Sequence, residues 1–186
     1  MSDTKSNMLE LGTKAPYFEL PNPSENNALQ SLEDLKGEKG TLVIFMCNHC
    51  PFVLHVIDQL AELYEDYGAK GIEFIGISSN DVEKYPQDSP ENMVEFRDSE
   101  GFKFPYLYDE SQSVAKAYDA ACTPDFYFFD DKLDLIYRGQ MDDSRPGNHK
   151  EVTGEDLIIA FENLLAGEKQ EELQKPSLGC NIKWKN

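Results

Sequence analysis

Residues 41–67 carry the pattern that most limits the fold. Residues 41–46 (TLVIFM) form an unbroken apolar run, as expected of a strand buried on both faces. A few residues later the period changes: Val53, Leu54, Ile57, Leu60, Ala61 and Tyr64 fall on one helical stripe that Gly68 closes. A doubly buried strand followed at once by an amphipathic helix calls for a layered α/β domain.

The alternation continues downstream. Residues 72–78 (IEFIGIS) read as the next buried strand. Residues 89–101 read as a helix with Ser89 as cap, Pro90 at the first position and Gly101 past its end. A short strand within 104–109 and a short helix over 111–118 follow. Residues 125–130 (DFYFFD) and 133–139 (LDLIYRG) read as a hairpin. Residues 153–167 predict a last helix with Thr153 and Asp156 as a capping box and Gly167 at its end. Upstream, 15–20 alternate as a strand, 21–27 are turn material, and 28–37 give a brief strand and a helical turn capped by Ser31. The expected architecture is a mixed central sheet flanked by helices on both faces, with an N-terminal β-hairpin extension. Residues 1–8 are expected to be flexible, 9–167 to form the domain, and 168–186 to be a polar tail packed on its surface.

The chain has 186 residues, enough for one domain with a sizeable core. Acidic residues outnumber basic ones 35 to 17, a net charge of −18 that argues against nucleic acid and anionic membrane as partners. Residues 1–12 are polar and lack the apolar core of a secretion signal, and no stretch nears the ~18 apolar residues of a membrane helix. A reducing cytoplasm is the expected location. Four cysteines are too few for a disulfide scaffold, and in that compartment they point to redox or metal chemistry.

The cysteines concentrate the chemistry in "FMCNHCPFV", residues 45–53. Pro51 suits the first helical position, which makes Cys50 the N-cap. Its Sγ would face the unpaired amides and positive dipole of the first turn, and such positions bring a thiol from ~8.5 down to about 3.5–7.5. The thiolate is the nucleophile. Cys47 lies three residues upstream. A disulfide needs Cα atoms within ~7 Å, whereas three extended residues span about 10 Å, so 47–50 must turn back to bridge. A redox pair and a spectator thiol both remain open. His49 either deprotonates a thiol or is an exposed turn residue. A structural zinc site wants four ligands and C-x-x-C supplies two; Cys122, Cys180, His49, His55 and His149 are scattered, so no metal is expected.

Taken together, "GTKAPYFELP", "LQSLEDLKGEKGTLVIF", "HCPF", "IEFIGIS" and "TPDFYFFDDKLDLIYRG" resemble thioredoxin-fold proteins of the peroxiredoxin, AhpC/TSA type. The resemblance runs from about residue 9 to 167. It is strongest with a peroxiredoxin-like group carrying "CNHCPFV", "CTPDF", "YRGQMDDSRPGN" and a C-terminal "PSLGCNIKWK". It implies a thioredoxin-like fold and puts Cys50 in the place of the attacking cysteine. Val53 stands where thioredoxin has its second cysteine, and Cys47 lies upstream instead. The peroxiredoxin signature P-x-x-x-T-x-x-C meets Val43 and Cys47 in place of proline and threonine, and Pro124 falls near the peroxide-polarising arginine.

Further roles follow from the resemblance. Thr123–Pro124 matches the cis-proline loop beside the attacking cysteine. Cys122 and Cys180 become alternative resolving thiols, each with a packed thiol as the plainer reading. The 138–148 connection borders the active site, where Arg138 or Arg145 would stabilise an anion and Asp142 or Asp143 would move protons, unless the loop is merely self-paired. The implied activity is thiol–disulfide exchange by Cys50, with Cys47 as first choice to resolve it. A peroxiredoxin-like antioxidant peroxidase and a non-catalytic binding protein are the alternatives. No organic cofactor is implied. The partners would be a protein or small-molecule disulfide or a peroxide, an electron-donor thiol protein, and a second copy of the chain, since many relatives associate.

Overall fold

The computed structural model describes residues 3–186. In chain order the strands and helices are β1 (Asp3–Lys5), β2 (Glu19–Asn22), β3 (Ala28–Ser31), α1 (Leu32–Leu35), β4 (Gly40–Phe45), α2 (Pro51–Gly68), β5 (Ile72–Ser78), α3 (Pro90–Glu100), β6 (Tyr106–Tyr108), α4 (Ser113–Ala117), β7 (Cys122–Thr123), β8 (Asp125–Asp130), β9 (Leu135–Gly139), α5 (Glu155–Ala166) and β10 (Leu178–Asn181).

The central sheet has the order β6-β5-β4-β8-β9. β4 runs parallel to β5 and antiparallel to β8, so the sheet is mixed, as expected. Every residue of β4 is buried. Leu42 and Ile44 pack on one face with α2, α3 and α5, through Val53, Ile57, Leu60, Met93, Phe96, Leu157 and Phe161. Val43 and Phe45 pack on the other with Phe18, Leu20, Leu32, Val114 and Ala115. This two-sided burial is why 41–46 has no polar alternation. Alone, α2 would be marginal. Burying its large apolar side chains is worth roughly 1.5–3 kcal/mol each, set against about 1–2 kcal/mol per residue of backbone entropy, so docking on the sheet holds it.

Local signals placed most boundaries. Ser31 and Asp34 form a reciprocal capping box on α1. Ser89 caps α3, Pro90 opens it, and Gly101 ends it with φ 73°. Three boundaries differ from expectation. The first hairpin strand forms at Glu19–Asn22 and takes in Pro21, which a two-stranded edge tolerates. β9 starts at Leu135 because Asp130 Oδ1 accepts the amides of Lys132 and Asp134, which keeps the intervening residues in the turn. The capping box at 153 does not form. Gly154 is the N-cap of α5, and the amides of Thr153 and Gly154 donate to Asp142 instead.

The ends of the chain depart most from expectation. Within residues 1–8, Met1 and Ser2 lie outside the described residues, but Asp3–Lys5 form β1 rather than a flexible arm. The tail packs on the domain, and part of it goes further than a surface tail would. Its residues 178–181 form the middle strand of a second sheet, β1-β10-β7, with Cys180 opposite Thr123 on one side and Asp3 on the other. Backbone amides and carbonyls that a surface tail would give to water are paired here with two other strands.

Candidate redox site

The junction after β4 is held from several directions. Met46 donates its amide to Ile77. The Asn48 amide donates to Asp88 Oδ1 at 2.9 Å, and its side-chain oxygen accepts from the Tyr106 hydroxyl at 2.8 Å. The chain therefore turns back over 47–50 before Pro51 opens α2. Cys50 is the N-cap residue with extended backbone, as its position before proline requires. The Thr123–Pro124 peptide is cis, as the resemblance implied.

Three sulfurs meet here. Cys50 Sγ lies 2.7 Å from Cys180 Sγ and 3.3 Å from the Thr123 carbonyl oxygen. Cys47 hydrogen-bonds to Cys50 and sits 3.7 Å from the Thr123 hydroxyl. Cys50 is held well below the ordinary thiol range, first by the hydrogen bond from Cys47, against its own burial, and then by the contact with Cys180. Cys47 is raised by that same bond, by burial and by Asp88. Cys180 is pushed up to about 12, first by burial and then by Cys50. One negative charge is thus shared by three sulfurs and sits mainly on Cys50, because a second charge in this enclosed place would repel the first.

The expectation that the helix end ionises Cys50 is met only in part. Cys50 Sγ makes no full capping hydrogen bond, yet the Val53 amide of the first turn is among the groups that lower its thiol, while the Phe52 amide serves Cys180. The ionisation of Cys50 therefore rests first on the neighbouring thiols, with the helix end a lesser contributor. Cys50 is also fully buried, at 0% exposure, with Cys180 against it. Cys122 does not join the group. Its Sγ points to the Pro124 carbonyl at 3.7 Å, and burial pushes its thiol far up.

The charged groups after β9 are held by partners within the loop and by Leu9, Gln174 and Lys175. Arg138 donates to Leu9 O and Gln174 Oε1. Arg145 donates to the carbonyls of Asp142 and Ser144 and to Gln140 Oε1. Asp142 accepts the amides of Ser144, Thr153 and Gly154, so its carboxylate organises the turn into α5. Asp143 pairs with Lys175 at 3.3 Å and with Gln140. His49 Nδ1 lies 2.6 Å from Asp88 Oδ2 but without the alignment of a hydrogen bond, and its ring stacks on Tyr85. Asp88 is fully buried and escaped the sequence reading, because a Pro-, Gln- and Ser-flanked aspartate looks like a solvated turn.

Comparison with known proteins identifies the family and the fold. The family model described as Redoxin matches residues 10–156. "Putative peroxiredoxin Rv2521" of Mycobacterium tuberculosis is 31% identical over 117 residues, 63% of this chain and 68% of its own. "Thiol-disulfide oxidoreductase ResA" of Oceanobacillus iheyensis is 28% identical over 120 residues, 63% of this chain and 58% of its own. A solved structure, an uncharacterized conserved protein from Geobacillus kaustophilus, is 55% identical with a TM-score of 0.97, covering 100% of this chain and 97% of that one. The fold is thioredoxin-like, and the chain belongs to the Redoxin family.

Proposed function

We propose that this chain is a thiol–disulfide oxidoreductase in which Cys50 attacks and Cys180 resolves. The observation that carries the reading is the 2.7 Å between their sulfurs, about 0.7 Å more than the ~2.05 Å of a disulfide. The Cys50 thiolate attacks one sulfur of a substrate disulfide, forming a mixed disulfide and releasing the first substrate thiolate, which takes a proton. Cys180, deprotonated as it reacts, attacks Cys50, forms the Cys50–Cys180 disulfide and releases the second thiol. An electron-donor thiol protein then returns the pair to dithiol. Cys47 serves as hydrogen-bond donor to the Cys50 anion rather than as the resolving thiol. We place this cycle in a reducing cytoplasm, where thiol donors that return the pair to dithiol are abundant.

The burial of Cys50 favours a second reading with the same pair of sulfurs. With Thr123 paired to β10, a small neutral oxidant reaches Cys50 more readily than a protein disulfide does. A peroxide would convert the thiolate to sulfenate with loss of an alcohol or water. Cys180 would then condense with the sulfenic acid, releasing water.

The test is disulfide mapping by mass spectrometry after one equivalent of oxidised dithiothreitol or of hydrogen peroxide, together with turnover of a model disulfide and of peroxide. A Cys50–Cys180 linkage, and loss of turnover in Cys50→Ser and Cys180→Ser, is the expected result. A Cys47–Cys50 linkage, with Cys180→Ser fully active, overturns the assignment.

A further inference from the structure

We infer that Cys47, His49 and Asp88 form a binding site for a divalent zinc-class metal ion, separate from the Cys50–Cys180 pair. One sulfur, one imidazole nitrogen and one carboxylate oxygen from these residues lie within 4.8 Å of one another. Ligand atoms around tetrahedral zinc stand roughly 3.3–3.8 Å apart, given ~2.3 Å Zn–S and ~2.0–2.2 Å Zn–N and Zn–O bonds. The three donors need to move by only about 1 Å to meet that spacing. Two are supplied by the turned-back loop at 47–50, the third by the short 3-10 turn Pro86–Asp88.

Partnering in the cluster leaves a place for a cation. His49 Nδ1 is enclosed and has no aligned hydrogen-bond partner, although it lies beside Asp88. At 2.6 Å the two atoms stand closer than ligands of one zinc ion, so they must part by about 0.7 Å or more to admit it. Asp88 is fully buried, and its oxygens accept from the Asn48 amide and Asn80 Nδ2. Among the described residues, no lysine or arginine pairs with it, and a buried carboxylate wants compensation. A thiolate, a neutral imidazole and a carboxylate carry −2 together, which one divalent ion cancels. The Asn48 and Asn80 donors to Asp88 are the outer-shell bonds that orient a metal-binding carboxylate.

The donor set selects the ion. One sulfur, one nitrogen and one oxygen suit zinc better than calcium or magnesium, which want oxygens throughout. Binding converts the Cys47 thiol to a metal thiolate and releases one proton to water. It also removes the Cys47 S–H from Cys50, so the metal and the redox cycle compete for the same loop. The metal site stands whether or not Cys50 turns over disulfides.

The experiment uses the full chain, stripped with chelator and kept reduced by a phosphine. It is titrated with zinc by calorimetry and with cobalt(II) by absorbance. One equivalent should bind, with a thiolate-to-cobalt charge-transfer band in the near ultraviolet. His49→Ala and Asp88→Asn should each weaken binding by about tenfold or more, and Cys47→Ser should remove the band. Cys180→Ser should leave both unchanged. His49 is partly exposed, so its variant tests the proposal even if Asp88→Asn misfolds. No binding, or binding indifferent to His49→Ala, or binding lost in Cys180→Ser, overturns the site.

Discussion

Gly179 lies so close to Thr123 that a Cβ built on it would overlap the Thr123 carbonyl oxygen. The obstacle is backbone in strand β7, so it does not swing aside as a side chain would. Gly179→Ala should push β10 off β7 and draw Cys180 away from Cys50. We expect a loss of roughly 1–3 kcal/mol in stability and slower formation of the 50–180 disulfide. Denaturant melts of the reduced protein and timed alkylation after oxidation would measure both. Unchanged rates of bridge formation would mean that the strand pairing does not position Cys180.

Linking Cys50 to Cys180 closes a loop of 130 residues. Chain-entropy reasoning gives about 5 kcal/mol for so long a loop, with about 2–4 typical of measured bridges. The oxidised protein should therefore melt well above the reduced one. Cys180→Ser should show no such difference, whereas Cys122→Ser should retain it. Differential scanning calorimetry with and without reductant reads this directly.

Burial pushes the Asp125 carboxyl up to about 7 from an ordinary value near 3.8, with its hydrogen bonds to Tyr127 and Ala121 working against that rise. The folded state thus holds a proton that the unfolded chain gives up first. Stability from this group is complete below pH ~4, falls as pH rises, and is lost by about pH 7. The full span corresponds to roughly 4 kcal/mol at most. In Asp125→Asn the decline between pH 4 and 7 should flatten, seen as a change in the difference between variant and parent melting curves.

Asp142 separates a structural role from a catalytic one. Removing its carboxylate in Asp142→Ala strands three amides, two of them at the entry to α5. We expect a cost of about 2–4 kcal/mol. The rate of Cys50 alkylation per folded molecule should stay as it was. A change in that rate without a change in stability would return Asp142 to the redox chemistry.

What was legible in the sequence was local. Pro51 after Cys50, the apolar stripe from Val53, and the Ser89–Pro90–Gly101 punctuation each act within a few residues, and each placed its element. What was not legible locally depends on distant partners. Cys180 entered as a resolving candidate only through the family resemblance, and its contact with Cys50 comes from pairing residues 180 and 123. The small Gly179 beside a cysteine was the one available hint. Asp88 was hidden for the same reason: its burial comes from Asn48 and Asn80, not from its neighbours in the chain. The 153–156 capping motif failed because its two amides found partners in another segment, Thr153 at the Asp142 carboxylate and Asp156 at the Met141 carbonyl.

The β1-β10-β7 sheet ties both ends of the chain to the wall of the sulfur cluster. Trimming residues 3–5 exposes one edge of the strand that carries Cys180, and trimming 178–186 takes away that strand altogether. Shortened versions of this protein are therefore altered at their reactive centre, however peripheral the deleted letters look on paper.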